Sequence, residues 1–443
     1  MNTIELSDFL SNEYVDFSSY DLVRKIASYV DGQKNASRKI LHTVRENNIN
    51  SFLKVANLGP KVQDFTQYLH GSLEGTIVNV TADYVGSGNN IPMLQGDGNF
   101  GSAFIPANAA TRYIFARQND VIKNIYTKDD TVLLEEQYFE GDKIEPKYYV
   151  PTLPMLAING SEGISIGFAQ KILPRDPKEI IKWVTQKASG KRITADLTPY
   201  WNGMTCTVEQ GEETNKWVIK GSFTRNSTTK ITIDSLPIGY DLKAYQNVLD
   251  KLVEDKVIKD YDDLSDNDIF KFEVSCTREF STKSDDKLMD IFKLIKRVSE
   301  NYTCIDRENK IVVFNDIKEI LDAWYEVRLE YNQKRKDYIL DKLKDEMLEM
   351  AAKRTFIMGV VNEEIELRNR TEEQIFADAI KFSERLEPYL PKLINLPMRM
   401  LTTAEIDKLK KQLEEKSKER EMWSIKTVED ISLDDIKNIK IPL

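Results

Sequence analysis

One adjacent pair, Arg112-Tyr113, carries the side chains that could react covalently with a phosphate ester. A free tyrosine ionises near pH 10 and is a weak nucleophile at neutral pH. Attack on a phosphodiester therefore needs cations on the non-bridging oxygens, with a metal ion or base nearby. Arg112 could supply bidentate contact to those oxygens. Alone, such a pair is common, and a packed tyrosine beside a surface arginine is its default reading.

Other constellations carry less. His42-Thr43-Val44-Arg45 has the HxxR spacing of some tyrosine recombinases, but Leu41 and Val44 make it resemble one turn of a core helix. GDGNFG, Gly96 to Gly101, fits GxGxxG. A dinucleotide site needs a strand before that motif and a helix opening at its third glycine, whereas Pro106 follows five residues later. The acidic run Asp260 to Asp268 lacks the central glycine and final glutamate of a calcium loop. No GxxxxGK[ST] phosphate loop occurs. Cys206, Cys276 and Cys304 lie far apart, and the two histidines are His42 and His70. This composition supports neither a disulfide framework nor a zinc or His-rich metal centre.

The elements that must hold these residues differ along the 443-residue chain, a length that implies two or three domains. YDLVRKIASYV and SRKILHTVREN have helical periodicity with cations on the opposite side. A short helix is expected from about Asn108, after Pro106. TCTVEQ, KWVIKGSF, KITIDSL and KFEVSCT alternate as half-buried strands do, with a helix over AYQNVLDKLVEDKVI. From Asn315 to Met358 there is neither glycine nor proline, which predicts one helix of roughly 60 Å. Ile317, Ile320, Trp324, Val327, Tyr331 and Tyr338 recur near heptad spacing. A second helix begins at Thr402, where Thr402 and Glu405 form a capping box, and carries Ile406, Leu409, Leu413 and Trp423. The expectation is an antiparallel coiled coil with a small globular tip.

Charge adds one more signal. The net charge is -10, which opposes general nucleic-acid coating. Residues 21–60 nevertheless hold seven cations (Arg24, Lys25, Lys34, Arg38, Lys39, Arg45, Lys54) against Asp21, Asp31 and Glu46. Such a segment suits a phosphate backbone gripped at one place, or a solvated helix face. No apolar run approaches a bilayer span, and the acidic N-terminus resembles neither signal nor transit peptide. A cytosolic protein is expected.

Read together, five segments occur in order: VDGQKNASRKIL (30–41), YLHGS (68–72), GDGNFGS (96–102), AATRY (109–113) and INGSEGISIGFA (158–169). This set resembles the DNA-breakage-and-reunion (gyrase A-like) subunit of type IIA DNA topoisomerases, over nearly the whole chain. Two positions depart from the family pattern, namely Leu69 beside His70 and Asn35 after Lys34. The second suggests a locally different turn.

The resemblance implies an α+β multidomain fold. A winged-helix DNA-binding domain would lie in 1–150, an α/β tower in 151–312 and a coiled-coil arm in 313–443. The arm's helices would be 313–358 and 402–424, and 359–401 a globular dimerisation tip. Tyr113 would be the nucleophile that becomes joined to a 5′ phosphate, Arg112 a transition-state stabiliser, and His70 a residue near the scissile phosphate. Arg24, Lys34, Arg38 and Lys39 would contact DNA, and Ile164 would wedge between base steps. Mg²⁺ and ATP would both be bound by partner subunits. The partners implied are double-stranded DNA, a second copy of the chain through the tip and winged-helix domains, and ATPase and metal-binding subunits, with no membrane. In a phage-infected cell the location would be the host cytoplasm. Because the sequence stops soon after the coiled coil, relaxation and decatenation without gyrase-type supercoiling are expected. A catalytically silent DNA-bridging coiled-coil protein is the alternative.

Overall fold

The computed structural model describes residues 5–439. By contacts the chain divides into two units, one reaching Leu329 and taking in the residues from Ser432 on, the other Glu330–Ile431.

In the first unit, α1 (Leu6–Ser11) and α2 (Glu13–Lys25) precede α3 (Asn35–Glu46), α4 (Val55–Phe65) and α5 (Glu74–Thr81). The helix expected over 20–30 ends early. α2 stops at Lys25 and the backbone turns extended at Ile26, because Ser28 bridges to Ile305 and Tyr29 N–H donates to the Ile305 carbonyl. α3 forms where its periodicity predicts. It starts at Asn35, the first-turn position that also favours proline, and the Ser37 hydroxyl accepts from the Lys34 N–H.

A three-stranded antiparallel sheet, β1 (Leu53–Lys54), β3 (Phe115–Gln118) and β2 (Leu94–Asp97), lies with β3 central. Leu53 faces Ala116, and Leu94 faces Gln118. Ile40, Leu41, Val44, Leu58, Ile77, Leu94, Ile114 and Ala116 share one core with Leu156, Trp183 and Trp324. A hairpin of β4 (Ser161–Ile164) and β5 (Ala169–Ile172) follows.

The strands expected farther on appear as Thr207–Gln210, Lys216–Lys220, Ser222–Arg225, Lys230–Ser235 and Phe272–Ser275. KWVIKGSF is two strands, broken at Gly221, where an added Cβ would sit 2.3 Å from the Ser235 carbonyl oxygen. The intervening helix spans Leu242–Glu254. A separate core gathers Ile231, Ile233, Tyr245, Leu249, Phe272, Val274 and Phe292.

The long helix, α6, runs Ile317–Val361. Its apolar stripe divides differently from a continuous coiled-coil seam. Ile317, Ile320, Leu321, Trp324 and Tyr325 belong to the first unit's core. Helix pairing belongs to the second unit, where α7 (Thr403–Ile425) runs antiparallel to the outer part of α6. Asn332 Nδ2 donates to Val428 O at 2.8 Å and Lys336 Nζ to Ser424 O at 3.0 Å. Glu346 pairs with Lys416 at 2.7 Å and Lys353 with Glu405 at 3.5 Å. The near-constant sum of the paired numbers fixes the register. Thr402 caps α7 by accepting from the Glu405 N–H. The loop between the helices folds on its own small core of Phe356, Ile365, Ala379, Leu386, Leu390 and Leu393. No described helix is long and apolar enough to cross a membrane.

Candidate DNA-cleavage site

Tyr113 sits on the loop that leads into β3, and 65% of its surface is exposed. The loop is not the helix expected from Asn108. It is an extended segment closed by one turn, in which Tyr113 N–H donates to the Ala110 carbonyl at 2.8 Å. Backbone ties on both sides explain why no helix forms. Ala109 N–H donates to Asn99 O, and the Ile114 and Thr111 carbonyls accept from Val55 and Ala56 N–H.

The glycines of GDGNFG form the floor under this loop. Gly98, at φ +104°, would place a Cβ 3.0 Å from Ile114 Cγ2, and Gly101, at φ +101°, would place one 2.6 Å from the Pro106 oxygen. Both need a positive φ and close approach, which glycine alone permits at low cost. β2 does precede the motif, but no helix opens after it. The motif is therefore a packing surface for the tyrosine loop.

The Arg112 guanidinium lies 4.8 Å from the centre of the Tyr113 ring. Next to it, Thr111 Oγ1 donates to Glu74 Oε2 at 2.5 Å. Glu74 opens α5 directly after the loop that carries His70, so this bond joins the two loops. His70 is half-buried. Its Nε2 is hydrogen-bonded to the Tyr20 hydroxyl, and Tyr68 meets its ring edge-on at 5.7 Å. Leu69 projects outward.

The β4–β5 hairpin is fixed at α2 and α3. Ser165 Oγ donates to Asp21 at 2.6 Å, Lys34 Nζ donates to the Glu162 carbonyl at 2.6 Å, and a Cβ on Gly163 would lie 2.0 Å from the Lys25 oxygen. Ile164 stands 75% exposed at the end of β4. Below the hairpin opens a cleft of about 740 Å³ whose lining includes Arg24, Lys34, Lys171 and Lys296, with Glu162. Sequence reading missed Lys171, Lys296, Tyr20 and Glu74. Each sits in an ordinary strand or helix pattern, so no local signal marks it.

Two of the expected DNA contacts, Arg38 and Lys39, have internal partners in this structure. Arg38 is buried, with Nε 2.7 Å from Asp31 Oδ2 and Nη2 bonded to Asp31 and the Gln33 carbonyl. Lys39 is buried between Glu145 Oε2 and the Thr66 carbonyl, both at 2.8 Å. Desolvating a cation demands such partners, and these donors are not presented to a phosphate. Arg45 likewise turns inward, to Thr131 Oγ1 and the Tyr126 carbonyl. The basic segment is thus partly internal, leaving Lys25 and Lys54 exposed and Arg24 and Lys34 half-buried at the cleft.

His42 is no catalytic partner of Arg45. Its Nδ1 bonds the Tyr149 hydroxyl at 2.8 Å, and its ring stacks on Phe65. Burial, with Lys143, Arg45 and Lys39 near, pushes its pKa down to about 4. Among the described residues, no three His, Cys, Asp or Glu side chains group to hold a metal.

This fold is that of a topoisomerase II cleavage module. It superposes on the crystal structure of the Plasmodium falciparum topoisomerase II DNA-binding, cleavage and re-ligation domain with a TM-score of 0.86 at 27% identity, over 98% of this chain and 63% of that one. The chain belongs to the DNA gyrase/topoisomerase IV A-subunit family, whose model matches residues 24–439. It is similar to the DNA topoisomerase medium subunit of Enterobacteria phage T4, 28% identical over 99% of this chain and 100% of that protein. It also matches DNA topoisomerase 2 of Saccharomyces cerevisiae, at 32% identity over 88% of this chain, and the mitochondrial enzyme of Dictyostelium discoideum, at 28% over 99%. The chain spans only 28% and 35% of the length of those two relatives.

Proposed function

We propose that this chain is the DNA-breaking subunit of an ATP-dependent type II topoisomerase, acting as a homodimer with ATPase and metal-binding partner subunits. The observation that carries the reading is the exposed Tyr113 under the Arg112 guanidinium, on a loop braced by glycines, in a chain of this family.

Tyr113 Oη attacks a backbone phosphorus, and the bond from phosphorus to the 3′ oxygen breaks. The products are a 5′-phosphotyrosine and a free 3′ hydroxyl; the phenol proton passes to a base or water, and the leaving 3′ oxygen takes up a proton from an acid or water. Arg112 offsets charge building on the non-bridging oxygens, and His70 contacts the same phosphate. Because one phosphate ester replaces another, religation by the 3′ hydroxyl needs no external energy. One cut per copy gives the double-strand break through which a second duplex passes, relaxing or decatenating DNA.

Arg24 and Lys34 hold the backbone, and Ile164 wedges between base steps to bend the duplex. Arg38 and Lys39 support the fold of α3. In this reading residues 1–150 contain the winged helix, 151–312 form the tower, and the 359–401 tip closes the dimer. The residues around Tyr113 do not make a Mg²⁺ site by themselves, since no carboxylate cluster stands there among the described residues. In this reading Mg²⁺ and ATP are bound by the partner subunits.

The test is a trapping assay on the complete complex with Mg²⁺ and end-labelled DNA, stopped by denaturing detergent. Wild type should yield protein linked to 5′ ends and Tyr113→Phe none. Adducts at 3′ ends, or adducts that persist in Tyr113→Phe, would overturn the assignment. So would no adduct from wild type with competent partners, which would leave a DNA-bridging protein.

A further inference from the structure

We propose that Tyr20 is a positioning residue for His70, so that the last turns of α2 help to set the cleavage site; this rests on the reading of His70 as a phosphate contact. The Tyr20 hydroxyl is hydrogen-bonded to His70 Nε2, and the two ring centres lie 5.4 Å apart. Tyr68 closes the ring from another side, edge-on. The imidazole is thereby held between two tyrosines with Nε2 occupied. Among the described residues Nδ1 has no hydrogen-bond partner.

That arrangement selects a chemistry. A phenol hydroxyl can donate to a neutral imidazole Nε2 or accept from a protonated one. When it donates, the ring proton must reside on Nδ1, since a neutral imidazole carries a single N–H. With the phenol donating, or with the ring doubly protonated, Nδ1–H is the free donor, aimed by the bond on the opposite nitrogen; a neutral ring that itself donates from Nε2 would present a bare Nδ1 instead. A histidine meant to give a hydrogen bond to a phosphate oxygen needs that fixed tautomer and fixed ring plane. Half of the Tyr20 surface is exposed, so its hydroxyl contributes little to packing, and removing it should act chiefly through His70.

The same helix turn holds a second functional element. Asp21, the next residue, accepts from Ser165 Oγ, and the Lys25 carbonyl packs on Gly163, either side of Ile164. Arg24 lies 5.5 Å over the Tyr20 ring. Residues 20–25 therefore touch both the histidine loop and the isoleucine hairpin. The bending element and the cleavage site share one support.

The experiment uses the full complex with its ATPase partners and compares wild type, Tyr20→Phe, His70→Ala and the double variant. It reads the cleavage rate against pH, together with DNA affinity. Tyr20→Phe should slow cleavage about tenfold, the order expected for one lost hydrogen bond, with DNA affinity unchanged and the pH limb of the rate displaced. In the His70→Ala background the same change should have no further effect. An equal, additional loss in that background would overturn the proposal, because Tyr20 would then act independently of His70. Unchanged cleavage in Tyr20→Phe beside an impaired His70→Ala would overturn it for Tyr20 alone. Wild-type cleavage by His70→Ala would overturn the role of His70 itself, and the proposal with it.

Discussion

Thr111 donates its hydroxyl hydrogen to Glu74 across 2.5 Å, two residues before Tyr113 and four after His70. Two loops far apart in sequence are joined at this point, one presenting the nucleophile and the other the histidine. Thr111→Val removes the donor while keeping the shape. Cleavage by the complex should slow about tenfold, for a stability loss of about 1 kcal/mol, with DNA affinity nearly unchanged. Glu74→Gln keeps an acceptor and should behave almost as wild type. Rapid-quench cleavage and filter binding measure the two quantities, and equal rates in Thr111→Val and wild type would show that the bond does not place Tyr113.

Gly101 combines a φ of +101° with an approach that would bring a Cβ to 2.6 Å from the Pro106 oxygen. Gly101→Ala should therefore shift the loop that leads to Tyr113 and cost about 1–3 kcal/mol. Thermal unfolding gives the stability. The 5′-adduct yield should fall further than stability does, because the backbone displaced leads directly to the nucleophile. A yield that merely follows the folded fraction would contradict this.

Arg175 and Glu300 form a fully buried pair, with Nη1 to Oε1 at 2.8 Å and Nη2 to Oε2 at 2.7 Å. Trp217 Nε1, the Tyr302 hydroxyl and the Leu173 N–H also donate to this carboxylate. Glu300→Ala should destabilise by about 3–5 kcal/mol, since it strands a buried guanidinium. Burial pushes the Glu300 pKa up, but Arg175 and the hydrogen bonds hold it below the usual value. A depressed carboxylate stabilises fully above its unfolded pKa of 4.5, and that contribution is lost as pH falls through the folded value. Denaturant melts of the variant near neutral pH decide the first point, and a loss under about 1 kcal/mol would rule out the buried-charge account.

His42 contributes at higher pH. Its folded pKa of about 4 lies below the ordinary 6.5, so the unfolded chain takes up a proton that the fold refuses. Stability should be unaffected above pH 6.5 and fall as pH drops from there toward 4. The loss between pH 7 and pH 5 should be about 2 kcal/mol. Urea melts at those two pH values, on wild type and His42→Phe, isolate the effect. Identical pH slopes in the two proteins would refute it.

Much of this was legible in the chain itself, wherever the governing physics is local. Apolar period set α3, the long helix and the strands of the middle region to within a few residues. Thr402 signalled the start of α7. Tertiary structure decided which charges face water. Lys39 meets Glu145, 106 positions away, and Arg175 meets Glu300, 125 away. No local window contains both partners, so a cation destined for the interior reads like one destined for a phosphate. Distance along the chain also hid Tyr20 from His70 and Thr111 from Glu74. It likewise hid the core that claims the first turns of α6, where a heptad stripe and a core stripe look alike until the surface packed against them is known.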